Sequence, residues 1–98
     1  MNIRYQHNAI EFEWDTLKAA SNMRKHGISF ETACEVFFDP FVCAGDEQVI
    51  DGEVRETVIG LTSDWELFYV AYTIRGDSVR LISARMANRY QRKIYEDQ

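Results

Sequence analysis

Apolar and acidic positions alternate along residues 10–14 (IEFEW), the pattern of a short, half-buried strand. Asp15 then stands as an N-cap before Thr16–His26, a run rich in good helix formers. Leu17, Ala20 and Met23 are its predicted buried side, and Lys18, Arg24 and Lys25 its wet side. Gly27 closes the helix, with Lys25 and His26 in the last turn, where cations meet the negative end of the helix dipole. Ser29 caps a second helix over residues 30–38, in which Phe30, Ala33, Cys34 and Phe37 recur at helical spacing until Asp39-Pro40 stops it.

Residues 41–54 are the least regular stretch, read as two short strands around Gly45 and a turn at Asp51-Gly52. Three stronger strands follow, at 55–62, 67–74 and 79–86, joined at Ser63-Asp64 and Gly76-Asp77. Residues 67–74 are apolar on both faces, so that strand belongs in the middle of the sheet. On a regular strand Val79, Leu81, Ser83 and Arg85 share one face, while Arg80, Ile82 and Ala84 share the other. Asn88 caps a terminal helix, Arg89–Glu96, with Tyr90, Ile94 and Tyr95 as its apolar side. Residues 1–9 read as a loose polar lead-in. The order of elements predicts one α+β domain over residues 1–98, with helices covering one face of a mainly antiparallel sheet.

Composition narrows the function. A chain of 98 residues, 46% hydrophobic and 28% charged, folds around one modest core. No apolar run approaches a membrane span, and the N-terminus lacks the basic and apolar regions of a secretory signal, so no membrane association is expected. Cys34 and Cys43 are too few for a disulfide framework, which points to a reducing cytoplasm. A net charge of −5 and the lack of a helix-turn-helix pattern argue against a plain DNA-binding domain. The charge is nonetheless segregated. Between residues 75 and 93 stand Arg75, Arg80, Arg85, Arg89, Arg92 and Lys93 against Asp77 alone, whereas residues 31–56 hold eight acids against Arg55 alone. A basic end of this kind suits a local anionic ligand, and an acidic middle suits a partner of complementary charge.

Four pieces in order carry a resemblance: FEWD at 12–15, KHGISFETA at 25–33, the Asp39-Pro40 pair, and ISAR at 82–85 with Tyr95-Glu96. Together they resemble the BrnT toxins of bacterial type II toxin–antitoxin modules. That resemblance implies a compact RelE-like α+β fold and metal-independent RNA cleavage that arrests translation, with no cofactor. It also implies a BrnA-type ribbon-helix-helix antitoxin as partner, a toxin dimer within the complex, and contact with operator DNA only through the antitoxin. The family's terminal segment often has a glutamate where this chain has Gln91. With the overall acidity, that feature favours the alternative of a catalytically inactive interaction module on the same fold.

Metal-free RNA cleavage needs a base for the 2′-hydroxyl, a cation for the phosphorane-like charge and an acid for the leaving oxygen. Arg85 is the first candidate for the cation, because arginine offers a forked and always-charged phosphate clamp; the plain reading is a strand-end arginine paired with a helix carboxylate. Arg75, Arg80 and Arg89 are candidates for RNA binding, although Arg75 flanks a turn and Arg80 faces away from Arg85 on a regular strand. His26 is a candidate base or acid and Lys25 a phosphate holder, against simple compensation of the helix dipole. Tyr95 could donate a proton or stack, or merely pack. Trp14 could stack on a base or sit in the core. A zinc site from Cys34, Cys43, His7 and His26 has no recognised spacing.

Overall fold

A computed structural model describes residues 1–98. Strands β1 (Asn2–His7) and β2 (Ile10–Asp15) lead into α1 (Thr16–His26), α2 (Phe30–Ala33) and a 3₁₀ turn, Cys34–Phe38. Strands β3 (Cys43–Ala44), β4 (Gln48–Ile50), β5 (Glu53–Leu61), β6 (Leu67–Arg75) and β7 (Ser78–Met86) follow, and α3 (Arg89–Glu96) ends the chain. The sheet runs β1-β2-β7-β6-β5-β3, with β4 on the outer part of β5. Every pairing is antiparallel except β2 with β7. The α+β class and the β5-β6-β7 meander follow the sequence reading, and β6 lies between two partners as its apolar faces require. No helix is long and apolar enough to cross a membrane.

Six expectations are corrected. Residues 1–9 are not a loose lead-in. Ile3, Tyr5 and His7 alternate inward on β1, which pairs with β2 through a turn at Asn8 and Ala9, both at positive φ. Positive φ at both central residues is the two-residue hairpin geometry, and an alanine there hides the usual Asn-Gly signal. Helix α1 has the predicted caps: the Asp15 carboxylate accepts from the N–H groups of Leu17 and Lys18, and Gly27 closes it at φ 68°. It presents the other side to the core, however. Leu17 is 77% and Met23 48% exposed and Ala20 is exposed, while Asn22 is buried. The Asn22 amide donates to the carbonyls of Ile28 and Ala84 and accepts from the Ala84 N–H, pinning α1 to β7.

The second helix tightens after Ala33 into a 3₁₀ turn, so Val36 is buried along with the expected Phe30, Ala33 and Cys34, while Phe37 is only half-buried. Gly60 permits this. A Cβ there would meet Val36 at 2.9 Å, so the turn lies directly on the backbone of β5.

The fourth correction bears on the site. Ala71 pairs with Ser83 and Tyr72 with Leu81, which leaves Ile82 as an extra residue in β7. This bulge resets the alternation, so Leu81 and Ala84 both enter the core beneath α1 and α2. Arg80, opposite Thr73, and Arg85, opposite Tyr69, consequently share the other face. The helices cover both faces rather than one. Phe12, Trp14, Phe30, Val36, Phe68, Val70 and Leu81 fill the main core under α1 and α2, while Ile94 and Tyr95 of α3 pack on Ile59, Leu67 and Tyr69 opposite. Tyr90 is exposed, and Gln91 takes the buried place on α3.

Asp39 ties α3 to the body. Its carboxylate accepts from the N–H groups of Leu61 at 2.8 Å and Phe41 at 3.0 Å and from Tyr95 Oη at 2.7 Å. Partial burial acts to raise its pKa, but those donors outweigh it and hold the carboxyl below its usual 3.8. A depressed folded pKa stabilises the protein above the unfolded value, and that contribution disappears as pH falls through the folded one. Asp39→Ala is therefore expected to cost about 2 kcal/mol near neutrality. Urea unfolding should show the gap from wild type closing below about pH 4; a gap independent of pH would refute the assignment.

Candidate active site

Only the end of the sheet beneath α3 is covered on its second face, and Arg85 stands at the border of that cover. Its Nη1 donates to Gln91 Oε1 at 3.1 Å and to the Met86 carbonyl at 3.2 Å. The guanidinium carbon lies 4.5 Å from the centre of the Tyr69 ring. Gln91, 6% exposed, also accepts from the Asn88 N–H, and the Asn88 side chain accepts from the Gln91 N–H in return. This capping box fixes the start of α3 and the place of Arg85 together. Every group holding Arg85 is neutral, so its charge stays uncancelled. The plain reading, a pair with a helix carboxylate, is not what the structure shows.

Tyr69 extends the arrangement, because its Oη donates to Asp46 Oδ1 at 3.2 Å. The Asp46 carbonyl also accepts from Thr57 Oγ1. A guanidinium, a phenol and a carboxylate are thus linked in sequence along one face. Arg55, on the same face of β5 as Thr57 and Ile59, completes the picture. Its Nε is buried without a hydrogen-bond partner, an unusual state for a buried polar atom.

The other candidates separate. Arg80 shares the Arg85 face but is half-buried, with Nη1 on Glu13 at 2.9 Å and on Asn2 at 2.7 Å. Arg75 pairs with Glu53 at 3.3 Å at the far end of the sheet, and Arg89 is exposed on the first turn of α3. Tyr95 lies on the Arg85 side. Burial first, then its bond to Asp39 and that carboxylate's charge, push the hydroxyl up to about 12, so it keeps its proton at neutral pH. Lys25 and His26 are exposed at the end of α1; His26 borders a groove with Phe68 and Met86, on the opposite side of the sheet from Arg85.

Of its two readings, Trp14 takes the core one and not the RNA-stacking one. It is 3% exposed, packed against Tyr5 and edge-on to Phe30, with no ring face free for a base. Cys34 is buried in the core, and no three His, Cys, Asp or Glu side chains converge. Tyr69, Asp46 and Arg55 escaped the sequence reading. Strand parity places Arg55 with Thr57 and Ile59, but only the register shows which neighbours they meet.

Comparison with known proteins bears on the family and the fold. The sequence profile of a family described as "Ribonuclease toxin, BrnT, of type II toxin-antitoxin system" matches residues 14–91. No curated relative matches the chain. The crystal structure of the Brucella abortus ribonuclease toxin BrnT superposes with a TM-score of 0.52 at 22% identity, covering 78% of this chain and 94% of that one. At that identity the superposition speaks for the fold, and the profile speaks for the family. With most of its length inside that profile, the chain belongs to the BrnT family and is a ribonuclease toxin of a type II toxin–antitoxin system.

Proposed function

We propose that this toxin cleaves RNA without a metal ion on the open face of its sheet, with Arg85 clamping the phosphate. The observation that carries this reading is the state of Arg85, a guanidinium oriented by Gln91, Met86 and Tyr69 with no carboxylate to neutralise it. Such a preset cation stabilises charge that grows in the transition state. Arg55 is a second anion contact, and Arg80 lines the same face while Glu13 holds it. Arg89 extends the basic rim, whereas Arg75, paired with Glu53, contributes least.

Proton transfer falls to groups on the Arg85 side. The Asp46 carboxylate, bonded to Tyr69, is the proposed base, and Tyr95, protonated at neutral pH, the proposed acid. Lys25 and His26, across the sheet, serve the end of α1 instead. We read the protein as cytoplasmic, since translated RNA is its proposed substrate. We read the fold as RelE-like and the antitoxin as a ribbon-helix-helix protein of the BrnA type, through which a toxin dimer would reach operator DNA.

The test is cleavage of a labelled RNA by antitoxin-free protein in EDTA, beside Arg85→Ala, Asp46→Asn and His26→Ala. The wild type should cut, the first two variants should fail, and His26→Ala should retain the rate within about threefold. Intact RNA with the folded wild type, with and without ribosomes, would favour the binding-module alternative.

Gln91 itself no longer argues for inactivity, because neither of its contacts requires a carboxylate. Gln91→Ala should cost about 1 kcal/mol through the lost cap and about tenfold in rate through a loosened Arg85. Gln91→Glu, which can form the same capping box, should recover the stability but not the full rate, because it sets a carboxylate on Arg85; cleavage rates beside thermal melts check the pair.

A further inference from the structure

The turn between β5 and β6 holds Trp65 where a hairpin favours glycine. The Trp65 N–H donates to the Thr62 carbonyl at 3.0 Å, and the Thr62 N–H donates to the Glu66 carbonyl at 2.9 Å. Thr62 Oγ1 accepts from the N–H groups of Asp64 and Glu66, and both the N–H and the hydroxyl of Ser63 donate to Glu35 at 2.8 Å. So fixed, Trp65 adopts φ 64°, a left-handed conformation that costs an L-residue energy and that hairpin turns usually give to glycine. Its side chain is 82% exposed, so burial within this chain does not offset the strain.

Beside the indole lies a cleft of about 470 Å³ with Phe38, Pro40 and Leu61 among its lining. His7 also lines it, edge-on to Phe38 at 4.8 Å. Glu35 and Asp39 supply its charge, Asp64 and Glu66 flank Trp65, and no lysine or arginine lines the space. None of the four carboxylates is in an ion pair. Phosphates would be repelled here, whereas an arginine or lysine beside an apolar side chain meets an indole face, an apolar floor and unpaired negative charge. Exposed aromatics of this kind anchor protein interfaces.

We infer that the Trp65 cleft is the docking site for a positively charged, apolar-anchored segment of the antitoxin, an inference that rests on the toxin–antitoxin reading. The cleft adjoins the cleavage site through Asp39, which accepts from Tyr95, but Trp65, Asp64 and Glu66 are given no part in cleavage, so substitutions at those three positions separate docking from it.

The experiment titrates the purified toxin with the antitoxin encoded beside it, followed by calorimetry and tryptophan emission. Trp14 is buried, so a blue shift on binding reports Trp65. Trp65→Gly should melt at a higher temperature than wild type, bind antitoxin at least about tenfold more weakly, and cleave RNA at the wild-type rate. Trp65→Phe should retain most of the affinity, the double variant Asp64→Lys with Glu66→Lys should lose it, and added salt should weaken the wild-type complex. Wild-type affinity in Trp65→Gly overturns the assignment while leaving the antitoxin reading intact, as does a loss confined to RNA binding. If the wild type binds no antitoxin, that reading fails and the docking site with it.

Discussion

Replacing Arg85 by alanine is expected to slow RNA cleavage by about 10²–10³-fold, the usual effect of removing one preset group that stabilises transition-state charge. The side chain is already placed: Gln91 and the Met86 carbonyl take two hydrogen bonds and the Tyr69 ring lies beneath it. Little reorganisation then remains when negative charge grows on the phosphorane. Arg85→Lys should recover only a small part of the rate, because an ammonium can neither fork to two phosphate oxygens nor stack in the same way. The fold should survive, since a half-exposed guanidinium with neutral partners contributes about 1 kcal/mol. Single-turnover cleavage beside urea unfolding separates rate from stability. Wild-type cutting by a folded Arg85→Ala would end the clamp assignment.

Trp14→Ala is expected to destabilise the protein by about 3–5 kcal/mol, a cavity effect independent of any RNA. The indole packs at the junction of β2 and α2, against Tyr5 at 5.6 Å and Phe30 at 5.7 Å between ring centres. None of its neighbours is free to collapse, because β1, β2 and α2 are each held by hydrogen bonds of their own. A domain of this size has about 5–15 kcal/mol in total, so the variant should lose a large part of it. Unfolding measured without RNA decides the matter. Unchanged stability with lost RNA binding would return Trp14 to the substrate surface.

Where each residue's task depends on its chain neighbours, the sequence was legible. Asp15, Ser29 and Asn88 cap the helices they were expected to cap, and Gly27 ends α1, because a cap is a contact across two or three residues. The three long strands of the meander were readable from their apolar patterns. The buried side of α1 was misread because Leu17 and Met23 are more apolar than Asn22, yet the amide alone could satisfy the backbone groups of Ile28 and Ala84. That need exists only once β7 lies beside α1.

The proposed site divides along the same line. Its chief cation, the helix cap that follows and the excess of arginine near the C-terminal end are properties of consecutive residues, and the sequence by itself determined them. The family and its RNA-cutting character were equally legible, through motifs kept in order along the chain. Which groups surround Arg85 was decided by tertiary structure alone. One unpaired residue in β7 turns Arg80 to the face of Arg85, and the sheet register brings in Tyr69 and Asp46 from other elements while leaving His26 across the sheet. The physical reason is that strand parity is a local property, whereas register and bulges follow from packing both faces of the sheet at once.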